Sequence, residues 1–307
     1  MNRASPGIER FFSWSSIDSK SRVVILASIL LICSIPHSTG QETITGWNEA
    51  ESWTDHDLNA AIIHGELVWV FGDSGIVRFS DDSGATWQNH TNLGEVDLIS
   101  ADSYENTMVA LSTDGIIYMK DGLESEWITI DSSQTGMKSI ALAGEESLII
   151  VGNEGAIWHY TDQTWWNRTT SFTENLRDVD FNGADDGLAV GNAGTILATD
   201  NGGTTWDYRE APDPESSIVS VSYFNPYRMF AVSDSGQIIY STTPGGFEWQ
   251  LREIESAGYN TTLGIDISSI DVVSSSRILF SGPNGYLGLS LDQGLNVERN
   301  ILPSGVN

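Results

Sequence analysis

The stretch GLAVGNAGTILATDNGGTTW, residues 187–206, decides the fold of this protein. A short apolar run leads into Asn192-Ala193-Gly194, a second apolar run follows, and the segment ends on Trp206. Glycine readily adopts the positive φ that a tight hairpin requires, so the two apolar runs are predicted to be adjacent antiparallel strands. The stretch therefore predicts a β-hairpin followed by a turn that contains a tryptophan.

The same arrangement recurs along the chain. The turn glycines are separated by 40, 40, 39, 42 and 49 residues, and they are Gly75, Gly115, Gly155, Gly194, Gly236 and Gly285. A tryptophan follows each of the first five after 11 to 13 residues, namely Trp87, Trp127, Trp166, Trp206 and Trp249, and Val297 takes this place in the sixth. An alternating segment also precedes each hairpin, which predicts four strands per unit. Units of about 40 residues with four strands are typical of β-propeller blades.

We predict one all-β domain in residues 41–307, a β-propeller of four-stranded antiparallel blades. Six blades are favoured, and seven are left open by the long interval before the last repeat. The repeats lie at about 55–92, 93–132, 133–171, 172–212, 213–254 and 264–303. The amino-terminal segment 42–53 is predicted to add an outer strand that closes the ring, because closure removes exposed strand edges.

Residues 1–40 are predicted to be a signal peptide or an amino-terminal membrane anchor. Basic residues precede an apolar run at 23–35, which ends at Pro36 and is short for a membrane-spanning helix. Cleavage after Gly40 would place the protein on the extracellular, cell-surface or periplasmic side of a membrane. Membrane contact is expected only through this segment if it stays attached.

The charge of the chain is strongly negative, with 42 acidic against 14 basic residues and a net charge of −28. Such a surface repels phosphate backbones and anionic lipids, which argues against nucleic-acid binding. The single cysteine, Cys33, lies in the apolar run, so residues 41–307 contain neither disulfides nor a thiolate site. Packing alone must stabilise the domain.

The turn before the tryptophan carries a second signature. SDDSGATW at 80–87 fits the pattern Ser-x-Asp-x-Gly-x-Thr-Trp, and TDNGGTTW at 199–206 and SLDQGLNV at 290–297 fit it in part. A short polar side chain in such a turn is expected to bond backbone N–H groups, and the tryptophan to pack between blades. We therefore predict structural roles for Ser80, Asp82, Gly84, Thr86, Trp87, Thr199, Asn201, Gly203, Thr205, Trp206, Ser290, Asp292 and Gly294.

This pattern is the Asp-box, or bacterial neuraminidase repeat, and the units together resemble the propellers of the photosystem II stability and assembly factor family. The resemblance covers about residues 55–302. It implies a propeller that helps to assemble a membrane complex through a basic patch on its face. Because basic residues are few here, we expect a client other than a photosystem.

Candidate catalytic residues do not emerge from the sequence. Sialidases share the Asp-box, but the resemblance would imply an arginine triad and a tyrosine nucleophile, for which the chain offers little support. The histidines of residues 41–307 lack the paired spacing of zinc ligands, and they are His56, His64, His90 and His159. No nucleotide-phosphate loop or nucleophile elbow occurs. No cofactor is predicted, and calcium stays open because carboxylates are abundant.

We predict a non-enzymatic, monomeric propeller that binds a protein or peptide ligand on its face. An extracellular glycosidase or a glycan-binding propeller is the alternative, which would need converging arginines or two facing carboxylates in a central cleft. A scaffold without a small-molecule site is the third reading. The sequons at Asn89, Asn167 and Asn260 are candidate glycosylation sites.

Overall fold

The computed structural model describes residues 56–82, 84–131, 133–254, 262–283 and 286–301. These residues form six sheets, each made of four antiparallel strands that follow one another in the chain. Three short 3₁₀ turns are the only helical elements among them. Within the same residues, no helix has the length and apolar character needed to span a membrane.

The strands are numbered in chain order, four to a blade. Blade 1 contains Leu58–His64 (β1), Leu67–Gly72 (β2), Val77–Ser80 (β3) and Gln88–Asn89 (β4), and blade 2 contains Leu98–Tyr104 (β5), Thr107–Ser112 (β6), Ile116–Asp121 (β7) and Ile128–Asp131 (β8). Blade 3 contains Met137–Leu142 (β9), Leu148–Gly152 (β10), Ile157–Thr161 (β11) and Thr164–Asn167 (β12), and blade 4 contains Leu176–Asn182 (β13), Asp186–Gly191 (β14), Ile196–Thr199 (β15) and Asp207–Arg209 (β16). Blade 5 contains Ile218–Asn225 (β17), Arg228–Ser233 (β18), Ile238–Ser241 (β19) and Gln250–Leu251 (β20), and blade 6 contains Ser269–Val272 (β21), Ile278–Gly282 (β22), Tyr286–Ser290 (β23) and Glu298–Ile301 (β24).

The predicted fold class, an all-β propeller of six four-stranded blades, is confirmed by this topology. The first strand of each blade is innermost, and consecutive innermost strands pack side by side from β1 to β21. Apolar side chains of the first three strands fill the spaces between blades, as with Phe71, Phe181 and Phe230. The segment 42–53, predicted to close the ring, lies outside the described residues.

A polar side chain links neighbouring blades at one repeated position of the innermost strands. Ser100 accepts a hydrogen bond from the Ile140 N–H of the next blade at 3.1 Å. Ser139 donates to Asp178 Oδ1, and Ser220 donates to Asp178 Oδ2, both at 2.9 Å. Asp178 therefore joins three blades through one carboxylate.

The innermost strands also share a bulge just before this position. Each of the first five blades has one extra residue there. The extra residues are Asn59, Ile99, Lys138, Arg177 and Val219, and Ser268 holds the corresponding place ahead of β21. A bulge redirects its side chain away from the regular strand pattern. We call these six residues the mouth ring, because they occupy the same position near the start of each innermost strand.

Two structural constraints explain why glycine recurs in the hairpin turns. Gly155 has φ +68°, a conformation that other residues rarely adopt. A Cβ atom at this position would also overlap the carbonyl oxygen of Phe172 from the following interblade connection. The turn thus needs glycine both for its dihedral angles and for the close approach of the next segment.

Candidate functional site

The Asp-box residues form closed hydrogen-bonded turns between the third and fourth strands. In blade 1, Ser80 Oγ accepts a bond from Gly84 N at 2.7 Å and donates to Asp82 Oδ1 at 2.8 Å. Asp82 also accepts bonds from the Thr86 hydroxyl at 2.6 Å and the Thr86 N–H at 2.8 Å. These Thr86 bonds, the side-chain bond first, lower the pKa of Asp82 to about 2. The carboxylate is therefore engaged in the hydrogen bonds of the turn.

The other two Asp-boxes repeat this geometry with substitutions. In blade 4, Asn201 Oδ1 accepts from the Thr205 N–H at 2.9 Å, and Trp206 Nε1 donates to the Gly203 carbonyl at 3.2 Å. In blade 6, Asp292 Oδ1 accepts from the Asn296 N–H at 2.8 Å. The Gly203 N–H donates to Thr199 Oγ1 and the Gly294 N–H to Ser290 Oγ, as Gly84 does to Ser80 in blade 1. The Trp206 bond also has an equivalent in blade 1, where Trp87 Nε1 donates to the Gly84 carbonyl. In all three turns, polar side chains accept hydrogen bonds from backbone N–H groups.

The prediction that Trp166 is the core tryptophan of blade 3 is wrong. Trp166 exposes 48% of its surface, whereas the register of β12 places Trp165 at the position equivalent to Trp206. The blade 3 turn is shorter because Asp162 and Gln163 both have positive φ, which makes a tight two-residue hairpin without an Asp-box. Because the turn is shorter, the position equivalent to Trp206 falls one residue earlier, at Trp165.

Two of the three sequons lie within the described residues. Asn89 and Asn167 are both exposed on the outermost strand of their blades. The Asn167 Oδ1 atom accepts a bond from the Thr169 N–H at 2.8 Å. Asn260 lies outside the described residues.

A patch of aromatic and arginine side chains covers the outer edges of blades 3, 4 and 5. We call it the rim patch, and its members are Trp166, Arg168, Phe172, Tyr208, Arg209 and Phe247. Phe247 is the most exposed of these at 69%. Single exposed apolar residues are ordinary, but several together mark an interaction surface.

The arginines of this patch lie over its aromatic rings. The Arg168 guanidinium carbon is 5.5 Å from the Trp166 ring centre, and that of Arg209 is 5.7 Å from the Phe247 ring centre. A cation within about 6 Å of an aromatic ring centre is attracted electrostatically to the ring. Arg209 reaches Phe247 across the boundary between blades 4 and 5.

Arg168 and Arg209 belong to a repeated position together with Arg252. Each pairs through its backbone with the first residue of the third strand of its own blade. Arg252 stacks on Tyr240 at 3.7 Å. The Nε atoms of all three arginines are buried and have no hydrogen-bond partner among the described residues. The sequence signal for this set is Trp-x-x-Arg in three consecutive repeats. These arginines were not among the site residues predicted from the sequence.

The mouth ring contains polar and charged residues as well as Ile99 and Val219, which pack into the cores between blades. Its Arg177 Nε donates to Asn192 Oδ1 at 2.6 Å. A cavity of about 430 Å³ opens beside Arg177, over blades 4 to 6. Its lining consists of Arg177, Val219, Asp234, Ser235, Asp266, Ile267 and Ser268. Only one arginine lines this cavity, which is not the converging triad that a sialidase would require.

The histidines do not form a metal or catalytic group. His159 Nε2 lies 2.8 Å from Ser147 Oγ, and burial, followed by the charge of Arg168, lowers the pKa of His159 to about 4. Its Nδ1 atom has no partner among the described residues, so the orienting carboxylate of a catalytic triad is missing there. No cluster of three metal-ligating side chains occurs in the described part of the chain.

Comparison with known proteins relates the chain to one family. Residues 159–257 match the family model described as photosynthesis system II assembly factor YCF48. This range contains the rim patch and the Trp-x-x-Arg repeats of blades 3 to 5. A search of curated proteins finds no match.

Three solved structures are similar to most of the chain. YCF48 bound to D1 peptide is 18% identical with a TM-score of 0.59, covering 76% of this chain and 77% of that one. YCF48 from Cyanidioschyzon merolae is 14% identical with a TM-score of 0.65, covering 83% and 88%. The WD40 propeller domain of Doa1 is 14% identical with a TM-score of 0.59, covering 81% and 84%. The chain is therefore a β-propeller that resembles the photosystem II assembly factor YCF48, with that family's sequence pattern in residues 159–257.

Proposed function

We propose that the protein is an exported, non-enzymatic propeller that binds an acidic polypeptide segment across its rim patch. The observation that carries the proposal is the repeated arginine of blades 3 to 5, each within cation–π distance of an aromatic ring. Tryptophan, tyrosine and arginine dominate the binding energy of protein interfaces. The rim patch contains all three residue types.

The charge of the chain makes this surface distinctive. With a net charge of −28, most of the protein repels an acidic segment, but charges beyond about 8 Å are screened at physiological salt. Arg168, Arg209 and Arg252 therefore act locally, and the rest of the surface disfavours docking elsewhere. An acidic partner would be held at the rim and nowhere else.

The comparisons support a binding role in a limited way. One propeller with this fold is known in complex with a D1 peptide. Peptide binding is thus within the capacity of the architecture. A client other than a photosystem is proposed here because basic residues are few, 14 against 42 acidic residues, whereas the family resemblance implies a basic patch on the propeller face.

Fluorescence anisotropy with two labelled peptides tests the proposal on the full chain. One peptide alternates glutamate with phenylalanine, and the other has lysine in place of each glutamate. We expect the acidic peptide to bind and the basic one not to bind at the rim. Arg209→Glu and Tyr208→Ala are each expected to weaken binding about tenfold, which corresponds to about 1.4 kcal/mol.

Tyr227→Ala provides the matched control, since Tyr227 is also an exposed aromatic residue but lies outside the rim patch at the turn between β17 and β18. This variant should bind as the unaltered chain does. Equal weakening in all three variants would contradict a site at the rim. Hydrolysis of a glycoside panel with no peptide binding would favour the glycosidase alternative instead.

A further inference from the structure

The cavity over blades 4 to 6 is lined in part by three mouth-ring residues, Arg177, Val219 and Ser268. Its volume of about 430 Å³ lies within the range of roughly 300–1,000 Å³ that is typical of small-molecule sites. Val219 and Ile267 are buried and provide an apolar wall. The remaining lining is polar or charged, so the cavity combines an apolar surface with a few placed charges.

Equivalent positions in other blades show the usual role of the Asp266 carboxylate, which lines this cavity. In blade 2, Asp97 Oδ1 accepts a hydrogen bond from the Ser74 N–H of the preceding blade at 3.1 Å. In blade 4, Asn175 Oδ1 accepts the same bond from the Glu154 N–H at 2.9 Å. Asp266 occupies the same position before β21, but no side-chain hydrogen bond joins it to a described residue. The carboxylate of Asp266 is thus not engaged in the capping bond that Asp97 and Asn175 make.

The other charged groups of the cavity also have no ion-pair partner among the described residues. Asp234 makes no side-chain hydrogen bond or ion pair with a described residue, and Arg177 donates only its Nε–H, to Asn192. The ion pair between Arg209 and Asp207 involves none of these groups. One guanidinium and two carboxylates therefore line a common space without neutralising one another.

We propose that this cavity binds a compact ligand with two ammonium groups and one carboxylate, of which L-lysine is the simplest representative. The ligand carboxylate would accept paired hydrogen bonds from the Arg177 guanidinium, a geometry that arginine favours. Asp234 and Asp266 would each take one ammonium group, and the Ser235 and Ser268 hydroxyls would add hydrogen bonds. The aliphatic stem of the ligand would lie on Val219 and Ile267.

The charge balance explains this choice of ligand. The three charged groups of the cavity sum to −1, and L-lysine carries +1 at neutral pH. A strongly acidic protein also raises the local concentration of cations near its surface. The site lies away from the rim patch and does not depend on the peptide-binding proposal.

Isothermal titration calorimetry of the full chain with three ligands tests this inference. L-lysine is compared with L-norleucine, which lacks the second ammonium, and with 1,5-diaminopentane, which lacks the carboxylate. We expect L-lysine to bind about tenfold more tightly than either, because each comparison removes one charged contact. The tripeptide Gly-Gly-Lys is a fourth ligand. Because the lysine of this tripeptide has no α-ammonium group, we expect it to bind less tightly than L-lysine, and tighter binding of the tripeptide would contradict a site for two ammonium groups.

Substitutions locate the site. Arg177→Gln and Asp266→Asn are each expected to weaken L-lysine binding about tenfold. Asp97→Asn is the matched control, since it changes the same repeat position in blade 2, where asparagine keeps the capping bond as Asn175 does. Thermal unfolding of each variant checks that the fold is retained.

Three further results would overturn the inference. One is the absence of heat with 10 mM L-lysine, and another is equal binding of L-lysine, L-norleucine and 1,5-diaminopentane. The third is equal weakening by Asp97→Asn and Asp266→Asn in folded variants. Loss of peptide binding at the rim would leave all of these outcomes unaffected.

Discussion

Replacement of Asp178 by alanine is expected to lower the free energy of unfolding by about 3–5 kcal/mol. The side chain is 1% exposed, and its carboxylate accepts bonds from Ser139 Oγ, Ser220 Oγ and the Val221 N–H at 2.9, 2.9 and 3.0 Å. Its Oδ1 also accepts from the Val179 N–H at 2.9 Å. Hydrogen bonds to a charged group contribute about 1.5–3 kcal/mol each, and the cost of burying the carboxylate offsets part of their sum.

The alanine variant would leave these donors buried without a partner, at about 1–3 kcal/mol for each that finds no water. Urea unfolding followed by tryptophan fluorescence measures the loss. For a domain of this size, a loss of about 4 kcal/mol corresponds to a fall in Tm of roughly 8–16 °C. Asp178→Asn keeps the shape of the side chain and is expected to lose less.

Glu174→Ala is the matched control for Asp178→Ala, because Glu174 is an exposed acidic residue shortly before the same strand. This change should alter stability by less than about 0.5 kcal/mol. A double-mutant cycle with Ser220→Ala should show strong non-additivity, since the two side chains share one bond. If Asp178→Ala costs no more than Glu174→Ala, the carboxylate does not join the blades and the reasoning fails.

Two further perturbations probe the fold. The pKa of His159 is lowered to about 4 in the folded protein and is near 6.5 in the unfolded chain. Its contribution to the free energy of unfolding is therefore complete above pH 6.5. That contribution, at most about 3 kcal/mol, is expected to be lost as the pH falls from 6.5 to 4. In His159→Gln, the free energy of unfolding is expected to depend less on pH across this range. A pH dependence equal to that of the unaltered chain would refute the assignment. Gly155→Ala is expected to cost more than about 3 kcal/mol, because it combines positive φ with overlap of the Phe172 carbonyl. Gly65→Ala also has positive φ but open space around it, so it should cost clearly less in the same melts.

Local patterns predicted the blades because their determinants lie within a few residues of one another. The hairpin at Asn192-Ala193-Gly194 and the turn around Asp82 follow from dihedral preferences and short-range hydrogen bonds. The same reasoning misplaced the core tryptophan of blade 3. The two-residue turn at 162–163 shortened the repeat, and spacing from the glycine cannot reveal which of Trp165 and Trp166 faces inward.

The candidate sites were harder to predict than the blades. The Trp-x-x-Arg repeat of blades 3 to 5 is visible in the sequence, but its meaning depends on Arg209 reaching Phe247 in the neighbouring blade. The cavity at the mouth ring is invisible in the sequence, since Arg177 and Asp266 are separated by 89 positions. The unpaired state of Asp266 emerges only by comparison with the capping bonds of Asp97 and Asn175.

The sequence by itself determined a chain of four-stranded units, because strand period, turn glycines and Asp-boxes act over short separations. Only the tertiary structure decided which polar side chains meet between blades, such as Ser139, Asp178 and Ser220. These contacts join positions about forty residues apart. They exist only after the innermost strands have assembled around an axis, which brings equivalent positions of successive repeats together.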